Sequence, residues 1–379
     1  MEVNPIDSMA QVSSADWNRL AADDYPFLRH EFLMALEQSG SVCPQTGWQP
    51  MHLLVKEQGE LLAGMPLYLK QHSWGEYVFD QQWAQAYRQT GSEYYPKLLS
   101  AIPFTPCQGP RLLIKKGLDP LVVTQSLLGF FQPLAAQGSI SSWHCLFPIP
   151  SQAEMLQSLG LSIREGVQFQ WFNRGYRSFD DFLQSLNAGK RKMIKRERRL
   201  IHEQGIGMLR VAGPDVSDAQ WQAFFQFYAM TYIKRGSEPY LTPAFFRQLA
   251  AGMPEQLLLV LAVKDDIYVG AALSLVGGDT LYGRYWGCYA EYNALHFEAC
   301  YYQGLEYCIE HGLQRFDSGA QGEHKISRGF EPVTTYSAHW FRDAAFSKAV
   351  AQFVDRERKT LQVYKESAAA YLPYKQIGP

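Results

Sequence analysis

Two stretches of the chain repeat one pattern of apolar and polar positions. In MHLLVKEQGELLAGMPLYLK (51–70) and LLLVLAVKDDIYVGAALSLV (257–276), an apolar run rich in β-formers leads into Val-Lys and polar turn residues. A second apolar run follows, entered through Gly64 or Gly270, so each stretch is predicted to be a β-hairpin. What comes next also repeats. After the second hairpin, TLYGRYWGCY (280–289) reads as a strand, ALHFEACYYQGLEYCIEHG (294–312) as a helix and RFDSGA (315–320) as a short strand. The helix gathers Phe297, Cys300, Tyr301, Gly304, Leu305, Cys308 and Ile309 on one face, with His296, Gln303, Glu306 and Glu310 opposite. After the first hairpin the order is strand KLLSAIPF (97–104), helix DPLVVTQSLLGFFQPLAAQG (119–138) and strand SSWHCLFP (141–148). This copy carries an insertion, FDQQWAQAYRQTGSEYYP (79–96).

A hairpin feeding a strand, a crossover helix and a parallel strand is a mixed α/β (α+β) unit, and two in tandem make two domains. The strand-like VQFQWF runs out into FNRGYRS (172–178), which sets domains of 1–172 and 173–379. The second copy opens with helices predicted over 178–186, 217–236 and 242–253. The first of them has Ser178 as N-cap and Asp181 three residues on. Between them GKRKMIKRERRLI (189–201) packs seven basic residues into Lys190–Arg199. On a helix Met193, Ile194, Leu200 and Ile201 form a narrow apolar stripe. Glu197 falls inside that stripe, which calls for a cation from another element. Lys190, Arg191, Lys192, Lys195, Arg196 and Arg199 suit a polyanion such as RNA or an anionic membrane surface. The plain alternative is a solvated helix docked by its stripe.

Composition narrows the class. At 379 residues, 47% hydrophobic and 19% charged, the chain is a folded protein of about two domains. A formal charge of −2 excludes a globally basic nucleic-acid binder. The six scattered cysteines form no CxxC pair, and neither HExxH nor a P-loop is present, so no metal site or tightly bound cofactor is expected. With no leader-like start and no apolar run of about 20 residues, the expectation is a cytoplasmic protein without a membrane span.

The candidate chemistry concentrates in GAQGEHKISRGFEP (319–332). Gln321, Glu323, His324, Lys325 and Arg328 lie between glycines, too glycine-rich for a helix interior and too charged for a buried strand. Acyl transfer needs a base for an attacking amine, donors for an oxyanion and positive charge for a phosphate-bearing donor. Glu323 or His324 supplies a base, Lys325 and Arg328 the charge, and the Gly319 and Gly322 amides the donors. A solvated loop is the alternative. His296 and Glu298 open the helix after the 280–289 strand, where the helix N-terminus keeps a histidine neutral.

The strings VFDQQWAQAY, YYPKLLSAIPFTPCQGPRLL, YGRYWG, HFEACYYQG and GAQGEHKISRGFEP resemble the FemAB-like family of N-acyltransferases, over about Tyr25 to Glu357. The resemblance implies tandem GNAT-like domains and direct transfer of an acyl group to an amine acceptor, a small molecule or a cell-wall precursor. It implies an activated donor as co-substrate: aminoacyl-tRNA, an acyl-carrier protein or acyl-CoA. Lys325 resembles the functional lysine of a glycine-flanked loop in the second domain. In GNAT folds the donor enters between two splayed strands, here 280–289 and 315–320, which brings Arg284, Tyr285, Trp286 and Asp317 to the cleft. Strand alternation puts Arg284 and Trp286 on one face and Tyr285 on the other, so all three are not expected in one pocket. Tyr95, Lys97, Asp80 and Trp83 are candidates for an acceptor pocket. Acetyl-CoA-using GNAT enzymes hold pyrophosphate on a Q/R-x-x-G-x-G/A loop. Neither GCYAEYNALHFEA (287–299) nor CQGPRLLIKKGLDP (107–120) has that spacing, which favours the tRNA or carrier donors. The competing function is a non-catalytic protein that binds cell-wall fragments or anionic polymers.

Overall fold

The computed structural model describes residues 1–21, 25–320 and 322–375. The chain divides into two compact units, Met1–Val167 with Thr334–Val363, and Gln168–Val333 with Tyr364–Pro379. The sequence placed the first crossing at 172/173 and kept 334–363 with the second half. Instead, Ser337–Phe341 pairs antiparallel with Leu146–Ser142 of the first unit.

In the first unit the predicted hairpin is His52–Glu57 with Glu60–Met65, closed by Gln58 and Gly59, both at positive φ as a tight right-twisted turn requires. Glu2–Ile6 and Leu113–Ile114 flank it in a four-stranded sheet. Lys97–Ser100 runs parallel to Ser142–Leu146, with Leu98 opposite Trp143. The crossover between them is helical, as expected, but it breaks into Pro120–Gly129 and Phe131–Ala136. Pro133 explains the break, because it cannot donate to the Gly129 carbonyl and crowds it. Leu53, Val55, Leu98, Val123, Phe131 and Trp143 form one buried core.

In the second unit the order is Ile206–Ala212, Leu257–Lys264, Ile267–Gly277, Thr280–Cys288, Arg315–Asp317, then the end of Ser162–Phe172. Among the described residues of this unit, only Thr280–Cys288 and Arg315–Asp317 are parallel neighbours. Leu295–Phe297, a π-helical turn Glu298–Tyr302 and Gln303–Glu310 make the crossover. Helix Asp218–Ile233 lies so close to the sheet that a Cβ on Gly287 would stand 1.9 Å from the Phe227 carbonyl oxygen. Among the described residues no helix is long and apolar enough to cross a membrane.

Candidate active site

The two parallel strands part almost as soon as they meet. Thr280, Leu281 and Tyr282 pair with Arg315, Phe316 and Asp317, and the ladder stops there. Thr280–Cys288 nevertheless stays on its other neighbour as far as Gly270 opposite Cys288. The gap is a cleft of about 140 Å³ lined by Arg284, Tyr285, Trp286, His296, Tyr301 and Ser318, among others. Simple alternation kept Tyr285 away from Arg284 and Trp286. The register slips between Leu273 and Ser274, so Arg284 is the extra residue of a β-bulge and the strict two-residue period is lost there. Trp286 and His296 also line a larger cavity, about 790 Å³, which adds Lys234, Arg235 and Tyr292.

His296 is the titratable group common to both cavities. Burial, then the nearby His324, Lys325 and Arg328, lower it to about 4, so the imidazole is neutral at physiological pH. Its ring lies 5.7 Å from Trp286, 5.3 Å from Tyr301 and 6.1 Å from His324. His324 Nε2 is 2.8 Å from the Tyr301 hydroxyl. Ser318 Oγ is shielded from solvent and has no hydrogen-bond partner among the described residues.

The glycine-framed loop folds as a short turn, Glu323–Arg328, between Gly322 and Gly329 at φ of 114° and 91°, values that favour glycine. Its cations are turned inward. Lys325 Nζ donates to the Ser318 and Gly319 carbonyls at 3.1 and 2.6 Å. Arg328 donates to Tyr302 Oη (2.9 Å), Glu197 Oε1 (2.7 Å) and the His324 carbonyl (2.7 Å), and lies 3.5 Å over the Phe297 ring. Tyr302 also donates to Glu197. Glu323 is exposed and accepts from Tyr364 Oη at 2.7 Å. The Gly319 amide donates to Asp317 Oδ1 at 3.0 Å, which occupies one of the two expected oxyanion donors. Gln321 lies outside the described residues.

The basic helix is Ala188–Glu203, capped by Asn187, with Ile194 and Ile201 buried. Glu197 does meet a cation from another element, Arg328. Arg198 also turns inward, to Glu298 and Glu306 at 3.1 and 3.0 Å. Gln303 donates to the same buried Glu298 at 2.7 Å. Lys192, Lys195, Arg196 and Arg199 are left as one exposed stripe at helical spacing, whereas Lys190 and Arg191 are half-buried.

Tyr301, which lines the cleft, was not among the candidates read from the sequence because it sat in an apolar helical face. The π-turn that brings Cys300 and Tyr301 to the cleft leaves no mark in the pattern of apolar positions. In the first unit, Lys97 is fully buried and donates to Glu76 and Asp80, while half-buried Tyr95 bonds Ser73 at 2.8 Å. Trp83 is buried against His339, with ring centroids 4.7 Å apart. Among the described residues, His, Cys, Asp and Glu side chains form no group of three or more that could hold a metal ion.

The chain belongs to the FemAB-like family, described as peptidoglycan biosynthesis/recognition, which matches residues 8–376. Among solved structures it is similar to FemX, at 13% identity over 93% of this chain and 100% of that one, with a TM-score of 0.53. It is also similar to the C-terminal domain of an Agrobacterium fabrum protein assigned as a lysylphosphatidylglycerol synthetase. There the identity is 10% over 92% of this chain and 97% of that one, with a TM-score of 0.54. L-PGS of Bacillus licheniformis matches at 10% identity over 86% of this chain and 96% of that one, with a TM-score of 0.50. At such identities the likeness is one of fold, and it agrees with the tandem GNAT-like α/β arrangement expected from the sequence. No curated protein matches the chain.

Proposed function

We propose, from its place in the FemAB-like family, that the chain is an N-acyltransferase working in the cleft between Thr280–Cys288 and Arg315–Asp317. The observation that carries this reading is the early parting of those two parallel strands, with a neutral histidine at the opening. In the transfer, the lone pair of an acceptor amine attacks the acyl carbon. The N–C bond forms as the bond from that carbon to the donor's oxygen or sulfur breaks. His296 takes the amine proton and returns it to the departing atom. Where His324 Nε2–H donates to Tyr301, the Tyr301 O–H is left to point at the developing oxyanion. Lys325 and Arg328 then act as positioning residues, since both spend their donors on the loop and its neighbours.

The larger cavity carries exposed Lys234 and Arg235 beside the helix that starts at Leu295, a setting that favours a phosphate-bearing donor. The stripe Lys192, Lys195, Arg196 and Arg199 supports an aminoacyl-tRNA among such donors. Native mass spectrometry of the chain with charged tRNA, acyl-CoA and acylated carrier protein tests the donor, followed by turnover with an amine acceptor. Binding of one donor with product formation supports the reading. Binding of cell-wall fragments without turnover of any donor favours a recognition protein instead.

A further inference from the structure

The first unit carries a polar cluster that the proposed reaction does not use. In SWGEYVFD (73–80) the aromatic and acidic side chains point opposite ways. Trp74 is 69% exposed, Phe79 64% and Tyr77 37%, while Glu76 and Asp80 are each 4% exposed. One oxygen of each acid is engaged. Glu76 Oε2 and Asp80 Oδ2 accept from Lys97 Nζ at 2.7 and 2.5 Å, and Asp80 Oδ2 also accepts from Tyr94 at 2.7 Å. The other two, Glu76 Oε1 and Asp80 Oδ1, are shielded from solvent and have no hydrogen-bond partner among the described residues. Leaving two such acceptors empty inside a fold is costly.

The charges do not balance either. Two carboxylates share one ammonium, because the second amine of the cluster stands aside. Lys70 Nζ donates to the Trp74 carbonyl at 3.3 Å and lies 3.6 Å over the Trp48 ring. Burial lowers Lys70 to about 7 and raises Glu76 to about 7. The groups that act on Glu76 are Lys97, Asp80 and Lys70, and it acts in turn on the Tyr94 and Tyr95 hydroxyls. Above that pH Glu76 is ionised and Lys70 neutral, so at pH 8 the cluster is short of about one positive charge, and a bridging water would fill the lone pairs without supplying it. A divalent metal would have to sit beside Lys97 with few oxygen ligands, a poor setting for a hard cation.

We propose that Glu76 Oε1 and Asp80 Oδ1 bind the primary ammonium group of a ligand, with the exposed Trp74, Tyr77 and Phe79 of the same segment as its ring contacts. Desolvated carboxylates in a segment that also exposes aromatic rings suit an alkylammonium, which gains charge-assisted hydrogen bonds and ring contacts together. The site belongs to the first unit alone and stands whether or not the chain transfers acyl groups.

Calorimetric titration of the full chain with butylammonium chloride tests it, with butanol as the uncharged control. Saturable binding is expected at pH 8, weakening about tenfold per pH unit below 7, where protons compete for Glu76. Glu76→Gln keeps the side chain's shape and is expected to weaken binding between about ten- and a hundredfold. Trp74→Ala, at an exposed position, is expected to weaken it a few-fold with the fold intact. No saturable heat across the millimolar range overturns the site. So does a signal that butanol reproduces, or affinity unchanged in both variants.

Discussion

His144 and His339 meet across antiparallel strands with their Nδ1 atoms 2.7 Å apart, so one nitrogen donates and the other accepts. The partners decide which. Lys97 overcomes the burial of Asp80 and holds its carboxyl below the usual range, so Tyr94 donates to Asp80. His144 Nε2 lies 2.8 Å from Ser142 Oγ and 3.1 Å from the Tyr94 oxygen, and where it donates to these two, His144 Nδ1 is the acceptor. His339 donates from Nδ1, and its Nε2 accepts from Ser337 at 2.8 Å. The result is a one-way chain from Ser337 through both imidazoles and Tyr94 to Asp80.

Nitrogen-15 spectra of the full chain are expected to show two neutral imidazoles, His144 protonated on Nε2 and His339 on Nδ1. Burial holds both far below the ordinary histidine value, with Lys97 adding to the effect at His144 and His144 at His339. The unfolded chain therefore takes up protons below about pH 6.5 that the folded chain refuses. Stability should fall with pH there by up to about 1.4 kcal/mol per unit for each histidine. His144→Phe, which strands the His339 and Tyr94 partners, is expected to cost about 2–4 kcal/mol in urea denaturation at pH 7. Denaturation curves that do not move with pH between 5 and 7 would contradict this assignment.

Arg328 ties the loop to the helix and turn around it. Its pairing with Glu197 is almost out of solvent, with side chains 4% and 16% exposed. Arg328→Ala leaves Glu197 and Tyr302 facing each other without a cation and is expected to cost about 3–5 kcal/mol. Arg328→Lys should recover little, since an ammonium cannot reach Tyr302, Glu197 and the His324 carbonyl from one plane. Chemical denaturation of the two variants beside the native chain measures both.

How much of this was legible beforehand depended on whether the cause lay within one element. Glu197 could be foreseen, because a carboxylate in an apolar stripe needs a cation and the helical period locates it. The parallel strand pairs were legible for a similar reason, as a crossover helix between two apolar runs allows little else. Three features depended on neighbours and could not be read. Lys325 looked like a free charge, yet it is buried against carbonyls seven and six residues upstream. The π-turn shifts the helical phase, so Glu298 and Gln303 are both buried while Tyr301 reaches the cleft. Segment 334–363 looked like a continuation of the second half, since a strand's own pattern does not say which strand it will pair with.

The outward and inward residues of the basic helix should separate cleanly by assay. Replacing Lys192, Lys195, Arg196 and Arg199 with glutamine leaves the buried ion pairs of that helix in place. Secondary structure and melting are expected to be unchanged. If the stripe meets RNA, the slope of log affinity against log salt should shrink by about 0.7 for each phosphate that the stripe no longer neutralises. Arg198→Gln should do the reverse, leaving the salt slope alone while costing stability through the stranded Glu298. Equal salt slopes for the native chain and the quadruple variant would remove the stripe from the binding surface.

The pH dependence of transfer distinguishes the two histidines as proton acceptor. His296 is lowered to about 4, chiefly by burial and then by the cations of the loop. A base with that value is fully available from about pH 5 upward, so the acid limb of kcat/KM should lie near 4, well below the ordinary histidine value of about 6.5. His296→Ala should lower kcat by about a hundred- to ten-thousandfold with little change in KM, and should abolish that limb. The same shift destabilises the fold as pH drops from 6.5 towards 4, because only the unfolded imidazole gains its proton in that window. Rates must therefore be compared where circular dichroism shows the chain still folded. His324→Ala separates the two histidines. It removes one of the groups lowering His296, so the limb should move upward while a substantial rate survives. A limb that vanishes in His324→Ala and persists in His296→Ala would transfer the role to His324, with Tyr301 as its partner.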